Sequence, residues 1–367
     1  MIKPERFYSS EEVSEYLHLS LRTVQRLLKE QRLGAYKIHG QYRIKGLDLL
    51  NYLEAQHSSK TPEKKPAHLI HLLNTQALSM EFGKDWLPWI EPHEAHNTSF
   101  IEKLALLRQQ MVENLGFILP GVQLRDSATL PPDNYRVLLH GVSIFSGSAK
   151  TDPAGLDQVF QKLATLVRRY AHEILSRDEV AVILQHLDEE RPAVIQEVMH
   201  RETGLTAGQL TQILRYLLKE GVSIRHMGRI LEGLADQLST VTQEQRDTNK
   251  LAENLRQHLS RQINAPLATS GVIDVITLAP DFETSLKTQL LDQEAVTPFK
   301  LLNHLRNALS PLAAPRVLLS PVALRRKLYD CLCRQYPQLH VLSYREISED
   351  YRIREVQRIE SPSAEDI

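Results

Sequence analysis

Apolar residues recur every three to four positions through the middle of the chain, most clearly between Thr206 and Asp236. Leu210, Ile213, Leu214, Leu217 and Leu218 make one helical face about three turns long. Thr206 and Gln209 stand at capping-box spacing, and Gly221 follows Glu220 where a helix ends in a left-handed residue. Ser223 is placed to cap a second helix, with Ile224, Met227, Ile230, Leu231 and Leu234 as its buried stripe. The pattern predicts a helical hairpin with one shared apolar side. The same period runs from Leu156 to about Leu259. Within it, Ser176 and Glu179 form another capping box, and Pro192 opens a short helix.

The flanks read differently. Residues 9–55 begin with a capping box at Ser9 and Glu12 and an apolar stripe of Val13, Tyr16 and Leu17. A turn at 18–20 follows, then a helix over 21–30 burying Leu21, Val24, Leu27 and Leu28. AYKIHGQYRI alternates and turns at His39-Gly40, which predicts a hairpin. Leu47, Leu50 and Leu53 start a closing helix. Residues 56–66, QHSSKTPEKKP, are polar and read as a flexible linker. After an apolar segment at 68–78, residues 99–118 predict a helix with Ile101, Leu104, Leu107, Met111 and Leu115 on one face. Strands are expected over 121–125 and 135–145. The last third alternates: strands at 272–278, 316–319, 340–343 and 353–359, and helices at 281–291, 297–309 and 321–336. The expected domains are 1–55, 67–150 (small α/β), 151–265 (helical) and 266–360 (α/β), followed by a disordered acidic tail at 361–367.

Charge narrows the function. Forty-four basic and forty-five acidic residues leave a formal charge of −1, so no whole-molecule field attracts nucleic acid. Residues 1–60 nevertheless carry ten Lys/Arg against seven Asp/Glu. In that module the second helix offers Arg22, Thr23, Gln25 and Arg26 to base edges. Ser20, Lys29, Lys37, His39 and Arg43 are placed for phosphates. The same charges also suit an ordinary solvated face that docks protein. The two cysteines, Cys331 and Cys333, are too few for a disulfide framework and suit a reducing compartment. Neither a signal peptide nor a membrane-length apolar run is present, so a cytoplasmic chain without membrane insertion is expected.

Candidate chemistry is sparse. Trp86 and Trp89 serve either as a partner-docking patch or as core. His68, His71, His93 and His96 form two H-x-x-H pairs without the cysteine or carboxylate pattern that completes a site, so no metal is expected. Phosphate-cradling, dinucleotide, nucleophile-elbow and zinc-protease motifs are absent, and neither a cofactor nor an enzymatic activity is expected.

Two resemblances organise these observations. The string EEVSEYLHLSLRTVQRLLKEQRLGAYKIHGQYRI resembles the excisionase and MerR-type winged helix-turn-helix, which implies double-stranded DNA as the partner of residues 1–55. LLKEGVSIR followed by ILEGLAD resembles a signature of the FHIPEP family, the export-gate proteins of flagellar and type III secretion systems. LGFILPGVQLRD (115–126), LPPDNYRVLLHG (130–141) and VLSYREI (341–347) resemble further segments of that family's cytoplasmic domain, in the family's order. This resemblance covers roughly 68–360, without the family's membrane half. It implies a multidomain α+β chain in which a mostly helical body is flanked by small α/β subdomains behind the winged helix-turn-helix. It also implies secretion-related protein partners and homo-oligomers. The chain passes from Ser148 almost directly to TDPAGL, where the family continues for several dozen residues. That shortening puts the family's chaperone groove and part of its ring surface in doubt. The combined expectation is a DNA-binding regulator with an export-gate-like interaction platform. The alternative is an accessory of the export apparatus whose helix-turn-helix docks protein.

Overall fold

The computed structural model describes residues 6–17, 21–29, 33–38, 41–50, 76–90, 100–200, 204–240, 246–291, 299–310 and 316–362. The chain divides into two compact units, Met1–Asn74 and Thr75–Ile367. The expected linker at 56–66 and all but the first two residues of the expected tail lie outside the described residues.

In the first unit, β1 (Phe7–Tyr8), α1 (Ser10–Leu17), α2 (Leu21–Lys29), β2 (Tyr36–Ile38) and β3 (Gln41–Lys45) follow in order. The antiparallel sheet has the order β1-β3-β2. The Ser9 N–H donates to Glu12 Oε2 at 2.8 Å and the Glu12 N–H to Ser9 Oγ at 3.2 Å, closing the expected capping box. Tyr8, Val13, Val24, Leu27, Leu28, Leu33, Ile44 and Leu49 form a separate core. Three expected core positions are instead exposed: Leu21 and Tyr16 on the helices, and Leu47, whose place is taken by Leu49. Residues 46–50 are helical, so a shift of two positions turns a different leucine inward.

The second unit begins with a sheet of order β5-β4-β6-β7, built from β4 (Leu78–Phe82), β5 (Val122–Asp126), β6 (Asn134–Leu139) and β7 (Val142–Ser148). Strand β4 is parallel to β5 and antiparallel to β6. The single strand expected over 135–145 is a hairpin. His140 and Gly141 both hold positive φ, 48° and 80°, which is the backbone of a tight turn between twisted strands. Alternation along β4 and β6 turns Leu78, Met80, Phe82, Tyr135, Val137 and Leu139 onto α3 (Phe100–Leu115) and the core behind it. On α3 the buried position is Phe100, and Ile101 is exposed.

A four-residue connection leads from β7 to α4 (Pro153–Ile174), whose N-cap Asp152 accepts from the Gly155 N–H at 2.7 Å. The helical part continues with α5 (Arg177–Glu190), a short turn from Pro192, α6 (Ala207–Lys219), α7 (Met227–Thr240) and α8 (Thr248–His258). The capping boxes at Ser176/Glu179 and Thr206/Gln209 both close. Gly221 has φ 73° at the expected helix end. Helix α7 starts later than the Ser223 cap predicts, although Ser223 Oγ accepts from the Arg225 N–H at 3.3 Å; the Ile224 N–H donates to the Leu115 carbonyl at 2.8 Å. Ile224 is buried all the same.

The C-terminal part is a parallel sheet of order β10-β9-β8-β11: β8 (Val272–Leu278), β9 (Arg316–Ser320), β10 (Leu339–Ser343) and β11 (Arg352–Ile359). Helices α9 (Pro280–Leu291), α10 (Phe299–Leu309) and α11 (Val322–Leu332) connect its strands. The period-two pattern sorts the sheet's two faces. Val317 and Leu319 join the helical core, while Leu318 joins a second core with Phe282, Leu305 and Leu328. Helix α11 is shorter than the 321–336 predicted. Among the described residues no helix is long and apolar enough to cross a membrane.

Candidate functional site

The carboxyl end of α6 places Tyr216 and Glu220 one turn apart on a helix whose other buried positions are leucine and isoleucine apart from Thr211. A carboxylate there faces the negative end of the helix dipole, which is unfavourable unless cations meet it. Three do. Arg325 of α11 donates from Nη1 to Glu220 Oε2 at 2.5 Å and from Nη2 to Oε1 at 3.0 Å. Arg326 Nη1 donates to Oε1 at 3.1 Å. Arg256 Nη1 of α8 stands 3.0 Å from Oε2 without a directed hydrogen bond, so that contact is electrostatic.

Each arginine has a further partner. Arg325 Nε donates to Glu253 Oε2 at 2.7 Å, and its Nη2 donates to the Tyr216 hydroxyl at 2.9 Å and pairs with Glu253 Oε1. The Tyr216 hydroxyl donates to Glu253 as well. Arg256 Nε donates to Glu346, whose other oxygen accepts from the Ser343 N–H at 2.5 Å. Asn264, fully buried, holds that turn from both sides: Nδ2 donates to the Glu346 carbonyl at 3.0 Å, and Oδ1 accepts from the Ser348 N–H at 2.7 Å. The side chains of Arg325, Arg256, Glu220 and Glu346 are 0–3% exposed. Three guanidinium groups thus meet three carboxylates, with Arg326 and Glu253 at the partly exposed edge, and these six groups carry no net charge.

Burial by itself raises the Glu220 carboxyl, but Arg256, Arg325 and Arg326 outweigh it and hold the group below its ordinary value. Burial lowers Arg325, but Glu253 and Glu220 outweigh it and keep the guanidinium charged. Burial, then Glu220, pushes up the Tyr329 phenol, which donates to the Lys219 carbonyl at 2.6 Å. A cavity of about 370 Å³ opens beside the cluster, lined among others by Glu220, Arg225, His226, Arg256, Gln262 and His340. Burial and the neighbouring Arg256 push the His340 imidazole down. The arrangement is suited to fixing elements and receiving a polar group. It lacks a nucleophile paired with a base, and no cluster of three or more His/Cys/Asp/Glu able to hold a metal occurs among the described residues.

Two of the four segments singled out in the sequence meet in the junction, and a third borders it. LLKEGVSIR supplies Lys219, Glu220 and Arg225, and VLSYREI supplies Glu346. The Arg225 Nη1 donates to the Glu113 carbonyl at 3.0 Å, and Leu115 at the start of LGFILPGVQLRD accepts from Ile224. Sequence reading missed the arginines of α11 and α8. The legible signal was the glutamate closing an apolar helix.

The other sequence candidates fall elsewhere. Arg22, Thr23, Gln25, Arg26 and Lys29 lie on α2, where Gln25 is exposed and Thr23 half-buried. Lys37 is on β2 and Arg43, half-buried, on β3; Ser20 and His39 lie outside the described residues. The structure takes Trp86 out of the proposed docking pair. It is 0% exposed and its Nε1–H donates to the Asp133 carbonyl at 2.9 Å. Trp89 is partly buried against the same core.

The sequence profile of the FHIPEP family matches residues 32–157 and 154–352, two stretches that overlap in the first turn of α4. The flagellar biosynthesis protein FlhA of Bacillus subtilis is 24% identical over 351 residues, covering 80% of this chain and 51% of the relative. The chain therefore spans about half the length of such curated relatives. Its fold superposes on a chain in the structure of the Chlamydia pneumoniae CdsV and CdsO protein complex. The TM-score is 0.68 at 22% identity, over 78% of this chain and 98% of that one. Nonameric EPEC SctV-C gives a TM-score of 0.64 at 17% identity, over 78% and 99%. At these identities the structures establish likeness of fold, while the sequence profile extends across most of the chain. The chain belongs to the FHIPEP family.

Proposed function

We propose that this chain acts as a protein-interaction platform of a flagellar or type III protein export apparatus, without enzymatic activity. The observation that carries this is the meeting of two family-like segments, LLKEGVSIR and VLSYREI, in one largely buried ionic junction that joins the helical part to the C-terminal sheet. An interior tied by charge pairs has sharply defined geometry, because each pair is directional and costly to leave unmade. A platform that presents surfaces to partners needs that definition. The fold's relatives support the reading: one was solved as a complex of CdsV with CdsO, the other as a nonamer. The chain is accordingly proposed to work on the cytoplasmic side, to bind export-related proteins and to assemble with further copies of itself. Mass photometry of the full chain across a concentration series, with affinity capture against the export proteins of its own source, tests this. A strict monomer that captures none of them refutes it.

A second reading, DNA binding by the first unit, draws on the two helices, the hairpin and the exposed Gln25 of α2. Its proposed contacts are Arg22, Thr23, Gln25 and Arg26 to bases and Ser20, Lys29, Lys37, His39 and Arg43 to phosphates. Selection from random duplexes tests it. A defined site lost on Gln25→Ala supports base readout, and no capture at low salt removes the reading.

A further inference from the structure

Tyr216 and Arg326 of the ionic junction also line an open trough of about 610 Å³, together with His140, His172, Glu173 and Arg215. Its cations are Arg215 and Lys219, one turn apart on α6, and Arg326 of α11. The one carboxylate in the lining is Glu173. Lys219 Nζ and Arg326 Nε share Asp330, each at 2.8 Å, so these two are partly neutralised from outside the trough. Arg215 is not. Among the described residues its one bond runs from Nε to the Leu175 carbonyl, at 2.9 Å, at the end of α4. That bond anchors the side chain, and among the described residues the two terminal nitrogens of this exposed arginine have no hydrogen-bond partner.

Other features shape the trough. The Arg326 guanidinium lies 4.0 Å from the centre of the Tyr216 ring and is held flat at the trough's edge. The first turn of α8 contributes Thr248 and Asn249 to the lining, and its positive dipole end is met by the N-cap carboxylate of Asp247, which accepts from the Asn249 N–H at 2.8 Å. Burial pushes the His172 imidazole below its ordinary value; Glu173 opposes this, and Lys219 and Arg215 reinforce it. At the other end, His140 lines the trough with its backbone in the left-handed region.

We infer that this trough binds an acidic peptide segment of a partner protein, with a carboxylate on the Arg215 fork and a second toward Lys219 and Arg326. Guanidinium forks match carboxylates in a bidentate fashion, and Arg215 is the fork without one. The trough is open and, at about 610 Å³, offers far more room than an isolated ion fills, which suits a peptide segment. Gln212, Thr248 and Asn249 supply hydrogen-bonding groups to a peptide backbone. A nucleotide is disfavoured because the one aromatic face, Tyr216, is already covered by Arg326. The inference rests on the platform reading for the partner being a protein, and names that partner's chemistry.

The test uses the full chain and a fluorescein-labelled octapeptide of alternating glutamate and glycine, with its glutamine counterpart as the neutral control. Anisotropy is read at about 50 mM and about 300 mM salt, since an exposed charged contact weakens with screening. The expected result is salt-sensitive binding of the acidic peptide alone. Arg215→Gln is expected to weaken it about tenfold, the worth of one charge-assisted fork. Arg229→Gln, an exposed arginine outside the lining, leaves it unchanged. Thermal melts confirm that both variants fold. Absence of binding at low salt, or equal binding by wild type and Arg215→Gln, overturns the inference. So does inorganic phosphate displacing the peptide at comparable concentration, which would make the trough a general anion site. Mass photometry on the same samples separates the failures. Loss of peptide binding with assembly intact sinks the trough alone, and a monomer that captures no export protein sinks the platform.

Discussion

Replacing Arg325 with methionine removes the guanidinium at the centre of the ionic junction while keeping most of the side chain's bulk. The wild-type group makes hydrogen bonds to Glu220, Glu253, Tyr216 and the Val341 carbonyl. Breaking a buried pair from one side costs about 3–5 kcal/mol, because the abandoned charge stays in the interior. Glu220 retains Arg256 and Arg326, and Glu253 is part-exposed, so the loss should fall near the lower end, about 3 kcal/mol. Glu220→Gln should cost a similar amount by leaving three guanidinium groups around a neutral amide. The double variant should be less destabilised than the sum by about 1–3 kcal/mol, since both changes break one network. Urea unfolding followed by circular dichroism measures each value. The pH dependence has a definite sign. The Glu220 carboxyl titrates below its ordinary value of 4.5 in the folded chain. Its contribution is therefore complete above the unfolded value and is lost as pH falls through the folded one. Wild type should lose stability below about pH 4.5 in excess of Glu220→Gln. If Arg325→Met lies within about 0.5 kcal/mol of wild type, or the two changes add, the junction does not hold the two parts together.

Three further outcomes follow from the packing. Trp86→Ala should destabilise the second unit by about 3–5 kcal/mol in urea melts, as a core residue, and should leave partner capture unchanged wherever the chain is folded. Thr206→Ala should cost about 1 kcal/mol, and Thr206→Ser should recover most of it, because the hydroxyl oxygen accepts from the Gln209 N–H at 3.1 Å. His140→Asn, which makes an Asn-Gly turn where histidine holds φ 48°, should raise the melting temperature of the second unit; a decrease would show that His140 is needed for packing.

Several elements were legible because their causes are local. The capping boxes at Ser9/Glu12, Ser176/Glu179 and Thr206/Gln209 involve groups three residues apart, and all three close in the structure. Strand β8 occupies the residues expected, and the alternation in β9 assigns each residue to its face. The misses have causes that lie far along the chain. Strand β4 pairs with β5 and β6, more than forty residues on, and its own five residues carry too short a pattern to announce it. The β6–β7 turn uses His140-Gly141 in place of the usual small residues, so the two strands read as one.

Local chemistry in the sequence determined the helical hairpin, its caps, its Gly221 end and the apolar face it buries. Backbone donors there have partners within one turn, and side-chain spacing alone selects the buried stripe. Tertiary structure decided what the polar residues at the hairpin's edge would do. Glu220 meets arginines 36, 105 and 106 positions away, Arg256, Arg325 and Arg326, and Ile224 gives its N–H to Leu115. Such pairs cost chain entropy to close and are selected only when the whole apolar core brings them together. The open fork of Arg215 arises in the same way, because the end of α4 satisfies its Nε and leaves its other donors facing outward.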